Sequence, residues 1–566
     1  MLSIRFCDTV TSFPMNSTAF EKEAISCNMP RNVKGKVLFL DCSAQKITSF
    51  PPEILQLQHL EELHLEKNFI QTIPEDIRLL KSLKVLYLHN NHVDRVCKEL
   101  GELAQLQCLD LSDNPLTPAS DFFQILTSLY SLLELRLYNL ALPYFPAQIC
   151  KKVYNLVLLG LSGNCFTSLP SEITNLINLR EIYLRGNHLQ IFPLVLGELP
   201  CLEIIDVEQN ILDSFPDEAC SSSWRKLFLS SNRLSSLPSS LCSCGHLTIL
   251  DVSSNSLSNL PHRLHALTGL LELGFSHNQL GAFPSQLGRM TSLQVLYLKD
   301  TGITKLHPHF ARLKRIRLLD LSQNGFTQFP EEICSLTDLE QLSLDDNRLD
   351  EIPLHIRSLF KLKSLGLTGN RFYCFPEAVC GLEALERLYL GQDQGLKLKA
   401  LPQSISQLQN LRELYLENNN LEVLPENIGL LPNLKILDCH NNQLLSLPDT
   451  LCNLKALKRL LLHDNHLTRL PDDLDGLVAL ETLLLQHNPL SDPPTVVCDQ
   501  GIAAIYKYLH HTKWKRANAT KIQAWWRGLM VRRRLGPFTE LKQNDKKGKG
   551  KKKAKKEKKA KENKKK

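Results

Sequence analysis

Between Lys36 and Pro494, apolar residues return at fixed offsets about every 23 residues. The phrase is clearest in Leu60-Glu-Glu-Leu63-His-Leu65-Glu-Lys-Asn68-Phe-Ile70-Gln-Thr-Ile73-Pro74-Glu-Asp-Ile77-Arg-Leu-Leu80. Leucines five and three residues before the Asn alternate with a polar residue, the period-2 mark of a short strand with its leucines turned inward. Pro, six residues after the Asn, lacks an N–H and closes the turn. Ile77 and Leu80, spaced i, i+3, predict a brief helical turn on the opposite, convex side. One such unit cannot enclose its own leucines, so copies must stack and share a core. The predicted fold class is therefore α/β: a solenoid of about twenty coils, with parallel strands on the concave face and short helical turns on the convex one.

The Asn defines a ladder position, occupied by Gln45, Asn68, Asn91, Asn114, Leu140, Asn164, Asn187, Asn210, Asn232, Asn255, Asn278, Thr301, Asn324, Asn347, Asn370, Asp393, Asn419, Asn442, Asn465 and Asn488. Fifteen of the nineteen intervals are 23 residues, too regular for chance. The side-chain amide is expected to bond turn backbone in the next coil. Two coils are irregular: residues 115–140 carry extra residues that predict a fuller helix over Asp121–Leu126, and an insertion follows Gly391. With Leu-Pro-x-x-Ile-x-x-Leu as its convex half, the repeat resembles the Ras-related subclass of leucine-rich repeat proteins. That resemblance implies the fold over residues 35–498. Residues 1–34 lack the repeat and predict a loose arm partly covering the first coil.

After Pro493-Pro494 the period stops. Asp499 is placed to cap a helix whose Ile502, Ile505, Tyr506 and Leu509 share one face and shield the last coil over residues 499–512. No proline precedes Gly536-Pro537, so the helix is expected to run on to Leu535 through residues 513–536. Ile522-Gln523-Ala-Trp-Trp-Arg527-Gly528-Leu-Met-Val-Arg532-Arg-Arg-Leu535 lies there. Ile522, Trp525 or Trp526, and Leu529 form a stripe of the kind gripped in an apolar groove. Lys513 to Arg534 hold eight Lys/Arg and no acid, complementary to an acidic partner. The spacing is similar to the IQ motif, and this resemblance implies a site for calmodulin or a related EF-hand light chain. By position, Ile522 would anchor in one lobe beside Trp526 and Leu529, and Gln523 would bond that lobe's backbone. Arg527 and Arg532 would meet acids of the two lobes, Gly528 would allow close approach, and Leu535 fills the motif's last apolar position.

Charge sharpens the division. The chain carries +7 overall, yet residues 507–566 hold 24 Lys/Arg against four acids, leaving −13 on the rest. Such asymmetry predicts two partner surfaces. From residue 546, fourteen lysines face two glutamates with no aromatic residue, predicting an unfolded tail over residues 537–566. Its expected partner is an acidic polymer: a tubulin tail, anionic lipid or nucleic acid. Outward strand positions four before the ladder repeat a Tyr-then-Asp phrase. Tyr87, Tyr183, Phe228, Tyr297, Tyr389 and Tyr415 are the residues expected to bind a protein on the concave face.

Seven of seventeen cysteines (Cys150, Cys220, Cys242, Cys334, Cys380, Cys452 and Cys498) fall ten residues after the ladder, where a small buried hydrophobe fits. An odd total without a cysteine-rich cap points to a reducing compartment. No secretory signal or membrane-length apolar run is seen. His440 and His463, on adjacent strands, fall short of a metal site without further ligands. Cys242-Ser-Cys244 has the wrong spacing for zinc, and Lys36-Val-Leu-Phe39, a phosphatase-docking look-alike, reads as a first strand with Val37 and Leu40 in the core. No metal, cofactor or catalytic residue is expected, because no phosphate loop, nucleophile elbow or enclosed pocket is encoded.

Repeats followed by one IQ motif resemble the leucine-rich repeat and IQ domain-containing proteins. The resemblance implies a non-enzymatic scaffold, cytoplasmic and associated with cilium or cytoskeleton rather than nucleus. The alternative it leaves is a regulator of a small GTPase or phosphatase complex, as in the Ras-related subclass.

Overall fold

The computed structural model describes residues 28–33, 36–116, 120–392 and 396–533. The chain divides into two compact units, Met1–Tyr297 and Leu298–Lys566.

In the first unit, β1 (Asn28–Val33) pairs antiparallel with β2 (Lys36–Asp41). Parallel pairing follows, β2 with β3 (Glu62–His64) and β3 with β4 (Val85–Tyr87), so that Leu40, Leu63 and Leu86 stand in register. The same register continues coil by coil to the strand Val295–Tyr297. Residues 28–33 of the expected arm form this strand. The edge of β2 would otherwise present unpaired N–H and C=O groups, and a six-residue strand satisfies them. Residues 1–27 lie outside the described residues. Because β2 has only this antiparallel cover, Val37 is half-buried instead of core, while Leu40 is buried.

The inward leucines behave as their spacing demands: Leu63, Leu65, Ile70, Ile77 and Leu80 are all fully buried. The ladder asparagines knit neighbouring coils together. Asn187 donates from Nδ2 to the carbonyls of Leu161 (3.0 Å) and Leu184 (2.9 Å), and its Oδ1 accepts from Phe166 N (3.0 Å). The amide therefore reaches back to the preceding coil, not forward as expected. At Leu140, which has no amide, the backbone N–H is taken up by Asn164 Oδ1. After the turn, Pro74 in extended conformation leads into the 3₁₀ turn Glu75–Leu79. Where the repeat is longer, the turn becomes a true helix: α1 (Ser120–Leu126), as predicted, and α2 (Ala147–Lys152).

In the second unit the strands from Leu318–Asp320 to Thr482–Leu484 are again parallel. The insertion after Gly391 leaves the register intact, with Tyr389 opposite Tyr415. Asn419 simply spans further, donating to Leu390 O and accepting from Leu398 N. Asp393 lies outside the described residues. Thr301 substitutes for Asn by donating its hydroxyl to Leu298 O and Asn324 Oδ1. After the last coil come α3 (Thr495–Cys498) and α4 (Ile502–Arg533).

The seven ladder-plus-ten cysteines are buried or half-buried, and the fifteen described cysteines are free thiols. Among the described residues no helix is long and apolar enough to cross a membrane.

Candidate functional site

The carboxyl-terminal helix has two halves with opposite environments. Its start departs from expectation. Asp499 lies just past the end of α3, and Gly501 adopts φ +90°, a conformation that favours glycine and separates the helices. Helix α4 is entered from Gly501, whose carbonyl accepts from Ala504 N and Ile505 N. Ile505 and Leu509 are then 2% and 3% exposed, and Tyr506 Oη donates to Leu477 O at 2.8 Å. Of the four apolar residues predicted to cover the last coil, Ile502 is the least engaged, being only half-buried like Tyr506.

One turn further, ion pairs continue the attachment. Arg516 donates to Asp472 at 2.5 Å and Asp492 at 2.6 Å, and Lys513 pairs with Asp473. The hydrogen bond that Lys513 donates to Asp473 raises its pKa, keeping it charged. Two of the eight cations expected to face a partner are thus spent within the chain.

Beyond Arg516 the helix is uncovered. Ile522, Trp525 and Trp526 are 64%, 59% and 54% exposed, and Leu529 and Gly528 are half-buried. Gln523 and Arg527 are exposed, while Arg532 donates to Gly528 O one turn back. Seven of the eight predicted IQ positions therefore lie on one continuous helix; Leu535 lies outside the described residues, as does the lysine tail. An exposed Trp pair beside a half-buried Leu, flanked by Lys515, Lys521 and Arg527, offers apolar area and positive charge to one partner.

The strand-lined faces carry the six predicted aromatic residues, all half-buried. Register brings Tyr389 and Tyr415 together as a stacked pair, ring centroids 4.8 Å apart and nearly coplanar. Tyr183 donates to Glu181 at 2.8 Å. Tyr87 lies 4.7 Å from the His64 ring, with the Arg136 guanidinium 6.0 Å above it. Phe228 and Tyr297 occupy the equivalent position on their own strands. His440 and His463 stack at 4.4 Å, His440 bonding Asp438 at 2.7 Å, so their rings face each other and do not converge on a point.

Of the second outward row, two residues beyond the strand position, the sequence reading took up only His440 and His463. The row also holds Glu66, His89, Tyr138 and Asp345, and strict period-2 alternation would have found them. Tyr138 lies over Gly160, where an added Cβ would come within 2.4 Å of its ring. Cys108 Sγ lies 3.7 Å from Tyr87 Oη and 3.5 Å from Glu134 Oε2. Burial pushes the Cys108 thiol up to about 12, and Tyr87 likewise, so both are protonated at neutral pH. A thiol held in that form is no nucleophile. Burial also lifts the Asp206 carboxyl to about 6, against the backbone N–H that Glu208 donates to it.

Stacked coils with this asparagine ladder, followed by a helical IQ segment, define a leucine-rich repeat protein with an appended IQ motif. Family models agree: the leucine rich repeat matches residues 36–93, 58–116, 291–349 and 432–490, with further copies at 223–244 and 410–431. The IQ calmodulin-binding motif matches residues 516–536. The particular likeness is to leucine-rich repeat and IQ domain-containing protein 4. The chain is 49% identical to the Mus musculus protein over 164 residues, 29% of this chain and 27% of that one. It is 47% identical to the Homo sapiens protein over 166 residues, 29% of each. The alignments thus span less than a third of these relatives. Among solved structures, a leucine-rich repeat protein of Leptospira interrogans superposes with TM-score 0.55 at 28% identity, over 80% of this chain and 96% of that one. The ectodomain of the Arabidopsis receptor kinase HAESA, in complex with a peptide hormone, gives TM-score 0.51 at 28% identity, over 79% and 77%. The architecture is that of leucine-rich repeats followed by an IQ segment.

Proposed function

We propose that this chain is a scaffold that recruits calmodulin or a related EF-hand protein through α4 and holds a second protein on its strand-lined face. The observation that carries the reading is the exposure of Ile522, Trp525 and Trp526 on a helix whose other half is fastened down. Burying apolar area of that size on each of three side chains stabilises a complex by several kcal/mol. Arg527 and Lys521 steer an acidic partner to the same place. A protein ligand for the strand-lined face is supported by its six half-buried aromatic residues and by the similar HAESA ectodomain, which is in complex with a peptide.

The lysine tail extends the proposal to an acidic polymer such as a tubulin tail, anionic lipid or nucleic acid, and the proposal includes a cytoplasmic location at cilium or cytoskeleton. Calorimetric titration of the intact chain with calmodulin, in calcium and in chelator, tests the core of it. A single site is expected that Ile522→Asp with Arg527→Ala abolishes. Heat indifferent to those substitutions, or absent in both conditions, defeats the reading.

A further inference from the structure

The first parallel strand pair carries a constellation that neither the repeat nor the IQ helix requires. Asp41, the last residue of β2, stands directly opposite His64, the last of β3, and Glu66 follows two residues on. One donor atom from each of the three lies within 4.8 Å of the others. All three side chains are half-buried, and the backbone beneath them is fixed by Cys42 N to His64 O (2.8 Å) and Ala44 N to Glu66 O (3.0 Å).

The imidazole is held as a ligand would be. Its Nε2 bonds Glu62 Oε1 at 2.8 Å, which leaves Nδ1 as the nitrogen facing Glu66, 3.8 Å from Oε1. Phe39 packs edge-on at 5.2 Å and Tyr87 tilts against the other face at 4.7 Å, so the ring cannot swing. A carboxylate on the remote nitrogen fixes the tautomer and makes the near one a stronger donor, the arrangement that surrounds metal-bound histidines. A further feature points the same way: Glu66 Oε2 is buried with no hydrogen-bond partner among the described residues. A buried carboxylate oxygen without a donor is costly unless a cation meets it. On the other flank, Asp41 Oδ1 accepts from Ser43 N, an anchor that leaves Oδ2 to ligate.

We propose that His64 Nδ1 and the carboxylates of Asp41 and Glu66 form a zinc site on the strand-lined face of the first unit. One imidazole with two carboxylates suits a borderline divalent cation, and three protein ligands leave a fourth position for water or a partner's side chain. Ligand atoms about 2.0–2.2 Å from zinc lie roughly 3.4 Å apart in a tetrahedron, so side-chain rotation alone closes the cluster. Glu62 is a positioning residue for His64.

The test is titration of the intact, chelator-stripped chain with Zn²⁺, followed by calorimetry and thermal unfolding. Co²⁺ serves as a parallel probe whose spectrum separates oxygen–nitrogen ligation from thiolate ligation by the many cysteines. One site per chain is expected, without a thiolate charge-transfer band, and with an unfolding midpoint that rises on zinc addition. His64→Ala should remove the site and the zinc-induced thermal shift, each read against the variant's own metal-free midpoint. Glu62→Gln should weaken affinity roughly 10–100-fold, and His487→Ala, at a His–Asp pair of the second unit, should change nothing. Absence of saturable binding, a thiolate spectrum, or binding indifferent to His64→Ala overturns the proposal.

Discussion

At the scale of single residues, the solenoid depends on one amide per coil. Asn187 satisfies two carbonyls and one N–H in a place water does not reach. Asn187→Ala strands all three groups, and a loss of about 2–4 kcal/mol is expected, read as a lower urea midpoint with unchanged slope. Asp206 predicts the opposite sign. Its folded pKa of about 6 exceeds the ordinary 3.8, so the fold retains that proton to higher pH than the unfolded chain does. The stability it contributes is complete below pH 3.8 and is lost as pH rises through 6. Asp206→Asn keeps the acceptor for Glu208 N and cannot ionise. The variant should be more stable than wild type by about 1–2 kcal/mol at pH 8, a value discounted for partial exposure, and indistinguishable at pH 4. The ladder was legible because an asparagine recurring every coil has one geometric use. Asp206 is the Asp that follows Tyr183 in the Tyr-then-Asp phrase, but nothing local in the chain reveals how much water its carboxylate loses.

Among elements, α4 shows most plainly what sequence encodes and what it hides. Its length and its Ile505–Leu509 face follow from spacing alone. The break at Gly501 was hidden because Asp499 is equally suited to cap a helix or to end one. The pairing of Lys513 and Arg516 was hidden for a different reason: their acidic partners lie 24 to 44 residues away, on turns whose approach only the folded coil determines. These exposed pairs are worth no more than about 1 kcal/mol each, whereas Leu509→Ala opens a buried contact worth about 2–4 kcal/mol. Hydrogen exchange should therefore accelerate over residues 502–516 in Leu509→Ala and only slightly in Lys513→Ala with Arg516→Ala. Residues 521–533 should exchange alike in all three proteins, because nothing in the last coils holds them. Protection lost equally along the whole helix would contradict this division.

For the whole molecule, the proposed scaffold role rests on two surfaces. The strand-lined face offers half-buried aromatic residues set by register, of which Tyr389 and Tyr415 are the paired case. Alanine at both should weaken capture of a strand-face partner while leaving calmodulin binding and the unfolding midpoint nearly unchanged. The Tyr-then-Asp rhythm was visible in the chain; which tyrosines meet was not, since an insertion of unknown path intervenes between residues 391 and 398. The uncovered half of α4 is the more decisive surface, and it carries its own reporter. Trp525 and Trp526 are exposed, as is Trp514, whereas Trp224 is fully buried. Tryptophan emission of the intact chain should therefore shift to the blue and saturate as calmodulin is added. Trp525→Phe with Trp526→Phe should remove most of that shift. Emission that stays unmoved while calmodulin binds would place the contact elsewhere and contradict the account.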